Sequence, residues 1–159
     1  VNSATFSLQR SISTISEAIV LLGLNELKRW ALIVSLSGTL DVADELCREL
    51  LIRAKMCEHI APQYNSESGL SFLVGILSGA DALFSIPMEE LSSHISLSDA
   101  VNTALVDRQG ELGLMLNDVI NFSRYEWDLL SGQVEETQLL EAQSTAIKWA
   151  IESQKAAAA

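Results

Sequence analysis

The 159-residue sequence predicts an all-α fold, a compact multi-helix bundle, and three observations carry that prediction. Apolar residues recur at spacings of three and four along the chain, strict apolar/polar alternation never lasts a strand's length, and only two prolines interrupt the pattern. Hydrophobic residues make up 48% of the chain, and its mean hydropathy is +0.25. A single domain of this size buries roughly 70% of the surface its unfolded chain exposes, so its core needs neither a disulfide nor a structural metal.

The elements follow in order. Thr14 and Glu17 form a capping-box pattern ahead of Ala18, Ile19, Leu21 and Leu22, and Gly23 sits where a helix C-cap favours positive φ. Asn25 caps a second helix, with Leu27, Trp30, Ala31 and Val34 on one face and Gly38 closing it. Asp41 opens a third. Asp44 and Glu45 in its first turn match the helix dipole, Leu46, Leu50, Ala54 and Cys57 carry it towards Pro62, and Arg48, Glu49, Arg53 and Lys55 are assigned to its exposed face.

Beyond the polar stretch Gln63 to Gly69, the segment with Phe72, Leu73, Gly75, Ile76, Leu77, Ala80 and Leu83 is apolar nearly all round, which predicts a central helix. Gly75 and Gly79, four apart, would let a neighbouring helix approach closely. Pro87 suits the first position of a short helix through Leu91, and Ser98 caps another through Leu105. Gly110 precedes a long helix expected to carry Leu112, Met115, Leu116, Val119, Ile120, Tyr125 and Trp127 before Gly132 ends it. Val134 to Ser153 makes a last amphipathic segment with Leu139, Leu140, Ala146, Ile147, Trp149 and Ala150. No internal repeat or low-complexity linker occurs. The start at Val1 and the run Ala156 to Ala159 read as a cut from a longer protein, with 156–159 an appended tail.

Charge narrows the function. Twenty-one acidic residues against ten basic ones give a net charge of −11 and an isoelectric point near 4.5, which opposes nucleic acid and anionic membrane surfaces as partners. The basic residues are scattered, the nearest to a cluster being Lys28 and Arg29. Cys47 and Cys57 lie ten residues apart in one helix, a rise of about 15 Å, too far to pair, and two thiols among apolar neighbours point to a reducing cytoplasm. No apolar run approaches the ~18 residues that span a bilayer, and no signal peptide opens the chain.

Catalytic chemistry finds little to work with. The two histidines, His59 and His94, are set among residues that suggest caps, surface groups or core packing rather than metal ligation. No P-loop, dinucleotide fingerprint, Cys-x-x-Cys or nucleophile elbow is present. Glu45, Glu49, Asp99, Glu135, Glu136 and Glu141 read as solvated helix faces and caps, not as a buried acid/base pair. No cofactor is implied.

The ordered anchors Val1-Asn2-Ser3-Ala4, Ile12-x-x-Ile15-x-x-Ala18-Ile19-x-x-Leu22-Gly23 and Leu27-Lys28-Arg29-Trp30, then Arg53 through Ala61, Phe72 through Ser78 and Tyr125-Glu126-Trp127, cover most of the chain. Together they resemble the HDOD domain, a bacterial signalling module related to HD-type phosphohydrolases, and in particular the C-terminal half of EAL-HDOD proteins of cyclic di-GMP signalling. The resemblance implies an HD-domain-like helical bundle over residues 1–155 that lacks its N-terminal helices.

HD phosphohydrolases hold metal ions with a His-Asp pair and flanking ligands, because a metal lowers the pKa of bound water and polarises phosphate. In the register of the resemblance that pair falls on Ser78 and Gly79, the preceding ligand position falls near Glu49 rather than His59, and Asp81 stands alone. The resemblance therefore implies a non-catalytic, cytoplasmic output or adaptor domain that contacts a signalling protein or its own upstream EAL domain, a role compatible with homodimerisation. Trp30, Tyr125, Trp127 and Trp149 are candidate contact residues, with core packing the competing assignment for each. The alternative is a nucleotide or small-molecule sensor in the degenerate pocket, with Arg53, Asp81 or Arg108 near its mouth.

Overall fold

The computed structural model describes residues 40–84, 86–94 and 97–158. The helices expected from Thr14 to Gly23 and from Asn25 to Gly38, with Trp30, lie outside the described residues. Every regular element described is helical: α1 (Leu40–Ile60), a 3-10 turn (Ala61–Tyr64), α2 (Ser68–Leu77), α3 (Ala80–Phe84), α4 (Met88–His94), α5 (Asp99–Val106), α6 (Gly110–Ser123), a 3-10 turn (Trp127–Leu129) and α7 (Glu136–Ala158).

The helix on which the others assemble is α1. Leu50, Leu51, Ala54, Met56, Cys57 and Ile60 are all buried, more than one face of a surface helix would hide. α1 packs most extensively against α2 and α7 and also against α6, while α5 pairs with α6. The main core joins Met56, Cys57, Ile60, Tyr64, Met115, Leu116, Val119 and Leu139, and a smaller cluster gathers Leu50, Ala54, Phe72, Ile76 and Ala150. Pro62 stops α1, and Asn65 at φ 49° turns the chain into α2.

The close approach expected at Gly75 is present. A Cβ built there would stand 2.5 Å from Ala54 Cα, so two backbones meet where no side chain fits. Gly79 instead faces the side chain of Leu50. Ser98 caps α5 by accepting from the Val101 amide, as its position in the sequence predicts.

Several expectations need correction. The apolar segment around Phe72 is not one central helix: α2 ends at Leu77 and α3 begins at Ala80. The Ser78 hydroxyl donates to the Gly75 carbonyl at 2.7 Å, an alternative to continued helix, and the glycine that follows propagates helix poorly. The long helix stops at Ser123, short of Tyr125 and Trp127, because the Arg124 amide closes back on the Ile120 and Asn121 carbonyls and Tyr125 adopts φ 62°. Arg53 is not on a solvated face; it is half-buried and reaches α2. The short helix expected to end at Leu91 runs on to His94, and Pro87 precedes it, its carbonyl accepting from the Glu90 and Leu91 amides. The last helix starts at Glu136, not Val134, and runs on through alanines of high helix propensity to Ala158.

Candidate functional site

Two regions hold the residues singled out from the sequence. The first is the α1–α2 crossing. Arg53 Nη1 donates to Ser78 Oγ at 2.9 Å, and Ser78 in turn donates to Gly75, so the serine at the first position of the expected His-Asp pair anchors a cation. Gly79 packs on Leu50, and Glu49 and Asp81 are both exposed. Burial lowers the pKa of Arg53, with Cys57 and Glu49 opposing the shift and Arg108 and Arg124 reinforcing it.

The crossing therefore carries positive charge at the positions where the resemblance leads one to expect metal ligands. Gly79 has no side-chain ligand, and the Ser78 hydroxyl already accepts from a guanidinium whose charge repels a cation, so the pair does not fit a divalent metal. Among the described residues no group of three or more His, Cys, Asp or Glu side chains could hold a metal ion. His59 is exposed in the last turn of α1. No helix among the described residues is long and apolar enough to cross a membrane.

The second region is the turn between α6 and α7. Tyr125 is 76% exposed, Leu129 62% and Trp127 40%, three large apolar side chains within five residues. Trp127 is steadied from one side by Phe122, the rings edge to face with centroids 5.1 Å apart, and Tyr125 tilts against it at 6.1 Å. A groove of about 510 Å³ runs beside them, lined by Trp127, Leu130, Gly132, Val134, Glu135, Glu136 and Thr137.

A buried carboxylate fixes this turn. Asp118 on α6, 2% exposed, accepts from the Tyr64 hydroxyl, from the Ser131 hydroxyl and from the Ser131 amide at 2.9 Å. Asn121 Nδ2 donates to the Leu129 carbonyl at 3.1 Å. Burial, then the bond to Asp118, raises the Tyr64 pKa and keeps the phenol a donor. Trp149, by contrast, belongs to packing: its ring meets Phe72 edge to face at 5.9 Å and lies beneath the Lys55 ammonium.

The structure thus brings Ser78 and Gly79 together with Arg53, leaves Glu49 and Asp81 at the surface, and displays Tyr125 and Trp127 but not Trp149. Sequence reasoning missed Leu129, Arg124 and Asp118. Asp118 had a signal, since it falls three residues after Met115 and four before Phe122, in register with the apolar stripe of its helix.

The family model for the HDOD domain matches residues 1–109. Over 157 residues the chain is 32% identical to the uncharacterized protein YuxH of Bacillus subtilis, a match covering 94% of this chain and 38% of that protein. It is 31% identical over 133 residues to the cyclic di-GMP phosphodiesterase CdgJ of Vibrio cholerae, covering 80% of this chain and 30% of the other. The chain therefore spans well under half the length of either curated relative. No solved structure gives a significant match.

Proposed function

The chain belongs to the HDOD domain family, and from that premise we propose that it is a non-catalytic signal-transduction domain, acting by contact with a partner protein or with an attached EAL domain in cyclic di-GMP signalling. The observation that carries the reading is the exposed Tyr125-Trp127-Leu129 turn, held in place by hydrogen bonds to Asp118 and Asn121. Aromatic side chains on a fixed backbone lose little conformational entropy when a partner covers them, which is what concentrates binding energy at an interface. The neighbouring Glu135 and Glu136 favour a partner with basic groups around an apolar centre.

The printed activity of CdgJ belongs to a protein of which this chain matches 30%, so the reading places phosphodiester chemistry outside the matched part. The replacement of the expected His-Asp pair by Ser78 and Gly79, with Arg53 bonded to the serine, supports the same assignment. The proposed setting is the bacterial cytoplasm.

The test uses the intact protein as bait in its native bacterium, wild type against a Tyr125→Ser/Trp127→Ser/Leu129→Ser variant. Reproducible recovery of a partner by the wild type, lost in the variant, is the expected result. A partner set identical in both, or none at all, removes the docking role from this turn. Light scattering of the same two proteins separates self-association from contact with another chain.

A further inference from the structure

Ten lysines and arginines are spread over a chain of net charge −11, yet two of the arginines, Arg53 and Arg124, line one cleft. Arg108, in the α5–α6 connection, lies within electrostatic reach of both Arg53 on α1 and Arg124 just past α6. Like charges held together in partly buried positions repel more strongly than in water. Two other cations are matched: Arg48 pairs with Glu45, and Lys55 with Glu58. Among the described residues no carboxylate lies within ion-pair distance of any of the three, and Glu49 and Asp81 act on Arg53 and Arg108 only at longer range.

Arg108 is the least satisfied. Its Nη1 is buried without a hydrogen-bond partner, a state that ordinarily destabilises a fold. Its backbone is nevertheless firmly placed. It sits at φ 59°, its carbonyl accepts from Asn117, and a Cβ on Gly113 would come within 2.5 Å of its carbonyl carbon. Arg53 and Arg124 open onto a cleft of about 370 Å³ between α1, α6 and α7, lined also by Glu49, Ile52, Ile120 and Gln143. Arg108 does not line the cleft, but its charge reaches both arginines that do.

The geometry points to an anion-binding site for a phosphate-bearing small molecule of about mononucleotide size, gripped by Arg53 and Arg124 with Arg108 as a third positive charge. Guanidinium forks match phosphate oxygens two at a time, and a phosphate charge of up to about −2 offsets the mutual repulsion that the unliganded protein carries. Ile52 and Ile120 offer apolar wall for the rest of the ligand, and Gln143 a neutral donor and acceptor. Ser78, by accepting from Arg53 Nη1, is a positioning residue. This site is separate from the Tyr125 turn and does not depend on the docking role proposed for it.

Calorimetric titration and thermal melting of the 159-residue chain with inorganic phosphate, adenosine monophosphate and cyclic di-GMP test the site. Saturable binding of at least one probe is expected, with a ligand-dependent rise in Tm. Arg124→Gln, at an exposed position, weakens it about tenfold, whereas Lys55→Gln and the Tyr125/Trp127/Leu129 variant leave it unchanged. Binding of phosphate alone, with that dependence on Arg124, upholds the site and defines its ligand as the anion; tighter binding of a nucleotide upholds it and brings in the isoleucine wall. No saturable binding by any probe, or an equal loss in Lys55→Gln, overturns it.

Discussion

Asp118 accepts three hydrogen bonds while almost wholly buried, and it ties α6 to Tyr64 on one side and Ser131 on the other. Asp118→Ala would strand the Tyr64 hydroxyl and the Ser131 amide together, so we expect a loss of about 3 kcal/mol in urea unfolding, against about 1 kcal/mol for Tyr64→Phe, which removes a single donor. Cys57 gives a second residue-level expectation. Burial pushes its thiol up from 9.0 to about 12, with Arg53 acting the other way. The unfolded chain then releases this proton first, so the stability tied to the neutral thiol is complete below about pH 9 and is lost as pH rises towards about 12. Tyr64, also raised, adds a loss of the same sign in the alkaline range. Stability measured against pH should fall more gently in Cys57→Ala than in the wild type, and parallel slopes would show that the thiol is not held neutral.

At the scale of the helices, Gly75 decides how closely α1 and α2 cross. The nearest atom to a new Cβ is backbone, Ala54 Cα, which cannot swing aside, so Gly75→Ala should force the helices apart and destabilise by about 1–3 kcal/mol. Gly79→Ala meets only the flexible end of Leu50, and a smaller loss is expected. Helix existence along the described chain was legible from apolar spacing, and so was the Ser98 cap, because each depends on residues near in sequence; the small residue at Gly75 announced a close approach, but its partner, Ala54 on α1, is distant in sequence. The ends of α2 and α6 were not legible. α2 breaks where the Ser78 side chain bonds back to Gly75 and receives Arg53, a partner 25 residues away. α6 stops because Tyr125 takes a positive φ and the returning strand of chain bonds to Asn121 and Asp118. Apolar periodicity continues through Tyr125 and Trp127 in the sequence, and only those tertiary bonds turn the same side chains outward.

Across the molecule, an acidic all-helical domain sets two arginines on one cleft, with a third in electrostatic reach, and exposes aromatic surface at another edge. His59, one of the two imidazoles in the sequence, lies at the surface of α1. The arginine-lined cleft was only partly legible, since Arg53 and Arg124 are widely spaced in sequence and reach one cleft through the packing of α1 on α6. In the role proposed above, this domain acts through contact and not through metal-assisted hydrolysis. The direct test is turnover of cyclic di-GMP and of a simple chromogenic phosphodiester by the purified chain with saturating Mn²⁺ or Mg²⁺, run with and without chelator alongside its metal content. The account predicts hydrolysis at the buffer rate and metal well below one ion per chain. Sustained turnover that a chelator abolishes and added metal restores would contradict it.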